Sequence, residues 1–234
     1  MTWIREELAA QASEKLAAFN RKLMPATQRQ MLGVKVPVLR GMARRITQME
    51  WHRWFYDVSP DDSFEEIMLR GMVLGYARMD IENMLQGIRF YIQLIDEWAL
   101  CDCAVATWKQ LVRYPEEAFT LITSYLNSQC EFEQRTAYVM LLSHFCTSTY
   151  IVRTLDLLSA TEPRGYYATI GLAWAVSVCY LKFPQLTLPL LKSDGLSVEC
   201  RRFAIQKVIE SRRATPEMRK MMQHVRQSIK KKQT

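Results

Sequence analysis

Four residues of this chain have types and spacings that could do chemistry: Trp98, Asp102, Arg135 and Trp174. Trp98 and Asp102 are four residues apart, so a helix would place an aromatic plane and an anion on one face. Arg135 and Trp174 belong to two later helical patterns that could bring them to the same surface. Aromatic faces and a carboxylate both attract positive charge, so the set suits a flat, cationic ligand.

A structural interpretation of these four residues stays open beside the chemical one. A tryptophan on a helix usually packs in the core, and an Asp–Arg pair between adjacent helices is usually a structural salt bridge. Two features favour a functional role. Asp102 stands between Cys101 and Cys103 in an otherwise apolar helix, so its carboxylate faces either a costly burial or a cavity. Arg135 is the only arginine or lysine in the predicted helix 132–145.

Helices must position these side chains, because apolar residues recur with a period near 3.6 along almost the whole chain. No convincing strand alternation occurs, and 8 glycines and 8 prolines leave little room for the turns of an all-β fold. The pattern predicts helices at 3–23, 38–49, 51–57, 64–78, 81–95, 98–114, 115–127, 132–145, 150–158, 166–183, 184–191, 198–211 and 216–230.

The spacing of these helices predicts an all-α solenoid of helical hairpins. Four inner helices begin near Trp98, Glu131, Tyr166 and Val198, which are 33, 35 and 32 residues apart. That period is typical of stacked helix pairs, whose inner helices line a concave surface. No linker interrupts the pattern, so residues 1–228 are expected to form one domain, followed by a basic, disordered tail at 229–234.

Positive charge is concentrated near the C-terminus of the printed sequence. The segment from Arg201 onward holds 11 Lys and Arg against 2 Glu, a net of +9, whereas the first 200 residues carry a net of −2. A basic patch is a footprint for a polyanion such as nucleic acid. Solvated surface is the alternative, and it is favoured for the end of the chain. For the cluster Arg201, Arg202, Lys207, Arg212 and Arg213 both interpretations stand.

The cysteines and the absence of other motifs narrow the function classes. Six cysteines lack the spacing of a zinc site or a disulfide framework, and no apolar run approaches the roughly 20 residues that cross a bilayer. The three histidines are isolated, and no nucleophile elbow or phosphate-binding glycine loop occurs. We therefore expect a cytoplasmic, monomeric protein that needs no metal, no organic cofactor and no membrane.

The residues at 32–40, Leu-Gly-Val-Lys-Val-Pro-Val-Leu-Arg, resemble the Leu-Gly-Val/Ile-x-x-Pro-x-x-Arg signature of AlkD-like DNA alkylation repair proteins, which are built from HEAT-like repeats. In that family a Trp-x-x-x-Asp pair supplies an active-site tryptophan and the catalytic aspartate, matched here by Trp98 and Asp102. A Gln-Arg-x-Ala segment supplies an active-site arginine, matched by Arg135. An Ala-x-x-Trp-type helix supplies the second tryptophan, matched by Trp174 in the segment Leu-Ala-Trp-Ala.

The resemblance implies a DNA glycosylase that acts on N3- or N7-alkylated purines in duplex DNA held in the concave groove. Asp102 would stabilise the oxocarbenium character of the deoxyribose and orient the attacking water. Trp98 and Trp174 would face the sugar and the cationic nucleotide, and Arg135 would hold a backbone phosphate. Four further bases are predicted DNA-binding residues: Lys109, Arg113, Arg201 and Arg202.

Two departures from the family leave other functions open. Active members carry two short N-terminal helices that grip the duplex, whereas the sequence predicts one unbroken helix at 3–23. The net negative charge of the first 200 residues also suits a phosphate-binding surface poorly. The alternatives are a non-catalytic member of the same superfamily that binds distorted or branched DNA, and a helical-repeat scaffold for protein partners.

Overall fold

The structure, a computed structural model, describes residues 2–231, and this part of the chain contains helices and no strand. The predicted all-α fold is therefore confirmed. The fourteen α-helices of this part are α1 (Thr2–Ala10), α2 (Glu14–Leu23), α3 (Val36–Ile46), α4 (His52–Tyr56), α5 (Phe64–Tyr76), α6 (Ile81–Ile92), α7 (Trp98–Val105), α8 (Pro115–Leu126), α9 (Glu131–Met140), α10 (Ile151–Ser159), α11 (Tyr166–Lys182), α12 (Pro184–Lys192), α13 (Val198–Glu210) and α14 (Pro216–Lys231).

The helices divide into two compact units, one ending at Pro115 and one beginning at Glu116. In the first unit α5 is the centre of the core, and it packs against α3, α6 and α7. In the second unit α11 has this role and packs against α9, α10, α12 and α13. Helices α7, α9, α11 and α13 begin at the four residues that the spacing predicts. The helical-repeat organisation is thus confirmed, and the expectation of one domain stays a prediction.

The predicted N-terminal helix at 3–23 is wrong, because the chain breaks into α1 and α2. Ser13 has an extended backbone with φ −139° and caps α2, its hydroxyl accepting a hydrogen bond from the Leu16 amide at 3.4 Å. The Ser13 amide leaves the helical pattern and donates to the carbonyl of Leu32 at 2.9 Å. Residues 11–13 contain no glycine or proline that would predict this break. The hydrogen bond between Ser13 and the distant Leu32 stabilises it. The chain therefore has two short N-terminal helices, as the resemblance implies, and the first of the two departures described above does not occur.

A second predicted helix, 98–114, is also interrupted. Helix α7 ends at Val105, and a short 3₁₀ helix follows at Lys109–Arg113. Between them the Thr107 hydroxyl donates to the Ala104 carbonyl at 2.7 Å, and the buried Trp108 indole donates to the Gly71 carbonyl at 2.9 Å. Seating this large side chain on α5 takes precedence over continuing the helix.

The last part of the chain differs in smaller ways from prediction. Helix α9 ends at Met140 and continues as a π-helical turn at Leu141–Phe145. Of the expected tail at 229–234, residues 229–231 belong to α14, and residues 232–234 lie outside the described residues.

None of the helices described is both long enough and apolar enough to cross a bilayer.

The connector between α2 and α3 is held by the buried carboxylate of Glu65. Its oxygens accept hydrogen bonds from the amides of Leu32 at 2.9 Å, Gly33 at 2.7 Å and Val34 at 3.3 Å. A buried carboxylate needs such partners, and three backbone donors are unusually good ones. Gly33 has a φ of +75°, and a Cβ there would lie 2.2 Å from the Ser13 carbonyl oxygen. The Leu-Gly-Val motif therefore has a structural reason in this chain.

We predict that Gly33→Ala lowers the free energy of unfolding by more than about 2 kcal/mol, since a left-handed backbone is strained for alanine and the new Cβ meets Ser13. Gly41→Ala is the matched control, because nothing lies within 4 Å of its Cβ position on the exposed side of α3. It should stabilise the protein by about 0.5–1 kcal/mol. Denaturant unfolding measures both values, and equal effects of the two substitutions would contradict the account of Gly33.

Candidate functional site

In the first unit, the start of α7 orients Trp98. The buried Glu97 caps this helix, and its carboxylate accepts from the Trp98 amide at 3.3 Å and the Ala26 amide at 2.8 Å. The Trp98 indole is half-buried, and its Nε1 donates to the Leu23 carbonyl at the end of α2 at 3.2 Å. Helix α2 and the connector after it therefore set the orientation of the indole.

Asp102 lies one turn after Trp98 on α7, and its side chain is half-buried. Both side chains are therefore partly open to solvent, and Asp102 is not fully buried. The neighbouring Cys103 is half-buried as well, and burial raises the pKa of its thiol to about 11, with a further contribution from the Asp102 carboxylate. At neutral pH this thiol is protonated and is a poor nucleophile. The carboxylate of Asp102 is thus the better candidate for chemistry on this turn of the helix.

In the second unit, Arg135 lies where α9 crosses α11. Its Nη1 donates to the Tyr167 carbonyl at 2.9 Å, and only 4% of the residue is exposed. Gly171 permits this approach, since a Cβ there would lie 3.3 Å from Cγ of Arg135. This guanidinium therefore bonds the protein's own backbone and leaves little surface for a phosphate.

Trp174 lies further along α11, is half-buried, and lines a cavity of about 540 Å³. We call this cavity the Trp174 groove. Three cations line it, Lys182, Lys207 and Arg213, and Glu210 is the one acid among its lining residues. The sequence singles out Lys207 and Arg213 within a basic cluster, but it gives no signal for Lys182. The other lining residues are Leu142, Ser143, Ser177, Val178, Leu181 and Ser211.

The predicted DNA-binding bases differ in their exposure. Lys109 and Arg113 are exposed at the two ends of the 3₁₀ helix, and Arg202 is exposed on α13. Arg201 is 4% exposed; its Nη1 donates to the Ser193 carbonyl at 2.8 Å, and its Nη2 lies 3.1 Å from the Asp194 carboxylate. The helical period turns Arg201 toward the core, so its guanidinium serves the protein's own backbone.

The structure thus places the four candidates as two pairs. Trp98 and Asp102 share one helix of the first unit, and Arg135 and Trp174 lie on the packed helices α9 and α11 of the second. Among the residues that the structure describes, no group of three His, Cys, Asp or Glu side chains is arranged to hold a metal ion.

The sequence model of the family described as DNA alkylation repair enzyme matches residues 4–162, which is more than half of the chain and includes three of the four candidate residues. A search of curated proteins finds no match.

We predict that Arg201→Gln lowers the free energy of unfolding by about 1–3 kcal/mol, because it removes a buried hydrogen-bond donor from the Ser193 carbonyl. Arg202→Gln makes the same change of charge at the next, exposed position and should stay within about 0.5 kcal/mol of the wild type. Urea denaturation of the two variants measures both values. A larger loss of unfolding free energy in Arg202→Gln would contradict the structural role that we assign to Arg201.

We further predict that iodoacetamide at pH 8 alkylates the exposed Cys130 and leaves Cys103 unmodified in the native protein. With a pKa of about 11, only about one Cys103 thiol in a thousand is ionised at that pH. Raising the pH toward 11 should increase the Cys103 rate, as measured by peptide mass spectrometry. Labelling in denaturant gives the reference at which all six cysteines react, and fast native labelling of Cys103 at pH 8 would contradict its raised pKa.

Proposed function

We propose, because this chain belongs to the DNA alkylation repair enzyme family, that it hydrolyses the N-glycosidic bond of cationic N3- or N7-alkylated purines in duplex DNA. Family membership makes it a DNA alkylation repair protein, and the base-excision chemistry is the proposal. The observation that carries it is the Trp98–Asp102 pair: an indole and a carboxylate one turn apart on α7, both partly exposed.

Asp102 has the properties that this hydrolysis needs. As the glycosidic bond breaks, its electron pair leaves with the cationic purine, which becomes neutral, and positive charge develops on the deoxyribose. A carboxylate beside the sugar stabilises that charge and orients the water, whose oxygen adds to C1′ while its proton passes to the carboxylate. An alkylated purine is already a good leaving group, so the reaction needs no acid to protonate the base.

Trp98 supports this role by presenting an aromatic surface beside the carboxylate. Electron-rich indole faces attract a cationic nucleotide and the developing charge on the sugar. The hydrogen bond from its Nε1 to the Leu23 carbonyl holds the ring in place, so little ordering remains to be done when DNA binds. In the second unit, we assign Trp174 to an aromatic contact with DNA. Arg135 is as buried as Arg201 and is bonded to the Tyr167 carbonyl, so we do not assign it to a phosphate.

The N-terminal helices favour an excising member over a non-catalytic one. The resemblance associates two short N-terminal helices with duplex grip in active members, and α1 and α2 are two such helices. Their separation at Ser13 removes one of the two sequence-based arguments against excision; the net negative charge of the first 200 residues stays. The end of α2 also contacts Trp98, which links these helices to the proposed site.

The test is the release of 7-methylguanine from a duplex that contains it. We expect the wild-type protein to release the base faster than the spontaneous loss measured without protein, and Asp102→Asn to reduce the protein-dependent rate by about 10²–10³-fold. Chromatography of the free base under single-turnover conditions measures the rate. Asp156→Asn is the control, because it removes an exposed carboxylate on α10 at an equal change of charge.

The possible outcomes separate the candidate functions. Release that depends on Asp102 and not on Asp156 supports the enzyme. Release no faster than the spontaneous rate, with duplex binding retained, would leave a DNA-binding member without excision. An absence of duplex binding even at low salt would leave only a scaffold for protein partners.

A further inference from the structure

We infer that Cys146 and Cys179 are a redox-active pair, which a small hydroperoxide oxidises to an intramolecular disulfide and a thiol reductant restores. Both residues are buried, and both belong to the second unit. The inference is independent of the proposed base excision. It adds a modification site that the sequence does not indicate, because the spacing of the six cysteines predicts no disulfide framework.

The packing of α11 brings the two cysteines together, although they are 33 residues apart in the sequence. Cys146 directly follows the π-helical turn, which packs on α11, and Cys179 lies near the end of α11. The Cys179 thiol donates a hydrogen bond to the sulfur of Cys146. Disulfide formation requires two cysteine side chains that point toward each other over a short distance, and this contact meets the requirement.

Lys182 places a positive charge beside the pair. It lies one turn after Cys179 on α11, and its ammonium donates to the Cys146 carbonyl at 3.0 Å. This hydrogen bond uses one of the three ammonium donors and holds the charge near the loop that carries Cys146. A thiol beside a lysine ionises more readily, and the thiolate is the form that reacts with oxidants.

The two thiols differ in acidity. The hydrogen bond from Cys179 lowers the pKa of the Cys146 thiol against the opposing effect of burial, and the charge of Lys182 lowers it further. The same hydrogen bond, together with burial, raises the pKa of the Cys179 thiol. Burial also raises the pKa of the thiols of Cys103 and Cys200. We therefore assign Cys146 as the thiol that attacks the oxidant and Cys179 as the thiol that resolves the product.

The reaction consumes one hydrogen peroxide and forms two water molecules. The Cys146 sulfur attacks one peroxide oxygen, the O–O bond breaks, and the leaving hydroxide takes the thiol proton to become water. The Cys179 sulfur then attacks the sulfur of the resulting sulfenic acid. The S–S bond forms as the S–O bond breaks, and the hydroxide leaves with the Cys179 proton as the second water. The two thiols lose two electrons in total, and the peroxide gains them.

The burial of the pair favours a small oxidant. Three residues around the pair, Val178, Leu181 and Lys182, line the Trp174 groove, whose volume of about 540 Å³ is ample for hydrogen peroxide. The two cysteines are not among the residues that line this groove, so their oxidation requires a local movement of side chains. A larger movement would be needed for a bulky disulfide such as oxidised glutathione.

The experiment treats the full native chain with hydrogen peroxide and then alkylates the remaining thiols with iodoacetamide in denaturant. Peptide mass spectrometry without reductant should find Cys146 and Cys179 joined to each other and both lost from the alkylated fraction. Dithiothreitol added before alkylation should restore both thiols. If both stayed reduced in the treated protein, or if either formed a disulfide with another cysteine of the chain, the inference would be overturned.

Cys179→Ser removes the resolving thiol and keeps a hydroxyl that can donate to Cys146. The reaction should then stop at a Cys146 sulfenic acid, which dimedone added with the denaturant converts to a stable adduct. The absence of this adduct would contradict the role assigned to Cys146. Cys200→Ser is the matched control, because it makes the same change at another buried cysteine of the second unit and should leave the disulfide intact. Circular dichroism verifies the helix content of both variants.

Lys182→Met tests the role of the positive charge, since methionine keeps much of the aliphatic side chain. We expect disulfide formation to be several-fold slower than in the wild type at neutral pH. The two rates should converge as the pH is raised, because the thiolate then forms without the lysine. Lys192→Met removes an exposed charge at the end of α12 and should leave the rate unchanged. Equal rates for the two variants at neutral pH would contradict the assignment of Lys182.

Discussion

The buried carboxylate of Glu65 is the contact on which the arrangement of the first unit depends. By accepting hydrogen bonds from three consecutive amides at residues 32–34, it fixes a connector that contains no regular structure. The Leu32 carbonyl in that connector accepts a hydrogen bond from the Ser13 amide at the break between α1 and α2. Gly33 packs directly against the start of α2. The Leu23 carbonyl at the end of α2 in turn accepts a hydrogen bond from the Trp98 indole. One carboxylate on α5 is thus linked, through the connector and α2, to the aromatic ring of the candidate site.

Buried charged groups in both units follow the same physical rule. Glu97, Arg135 and Arg201 each bond a backbone group of another segment. For Glu97 and Arg201 that group lies in a loop or at a helix end, where donors or acceptors are left unsatisfied. Stacked helix pairs create many such ends, and a charged side chain satisfies them more strongly than a neutral one. Asp102 differs from this group by its half-exposed position, which is why it is the carboxylate we assign to chemistry.

The proposed reaction needs few catalytic groups, and this explains why the candidate site contains so few. The substrate is cationic before it binds, so a carboxylate and aromatic faces suffice to stabilise the charge that moves to the sugar. Binding of the duplex would then depend on other, positively charged residues, and the net charge summed over a sequence does not show how such residues are grouped.

The sequence by itself determined the helices, their repeat and the identity of the candidate residues. The starts of α7, α9, α11 and α13 follow from the hydrophobic period, and those of α8 and α12 follow from the prolines at their first residues; both signals act locally. Two features escaped local reasoning: the break at Ser13, which depends on the distant Leu32 carbonyl, and the end of α7, which depends on seating Trp108 against Gly71. Only the tertiary structure separated Arg201 from Arg213 and added Lys182 to the groove, because burial and cavity lining arise from helices distant in sequence. Residue type and spacing identify what chemistry is possible, and packing decides which side chains solvent and DNA can reach.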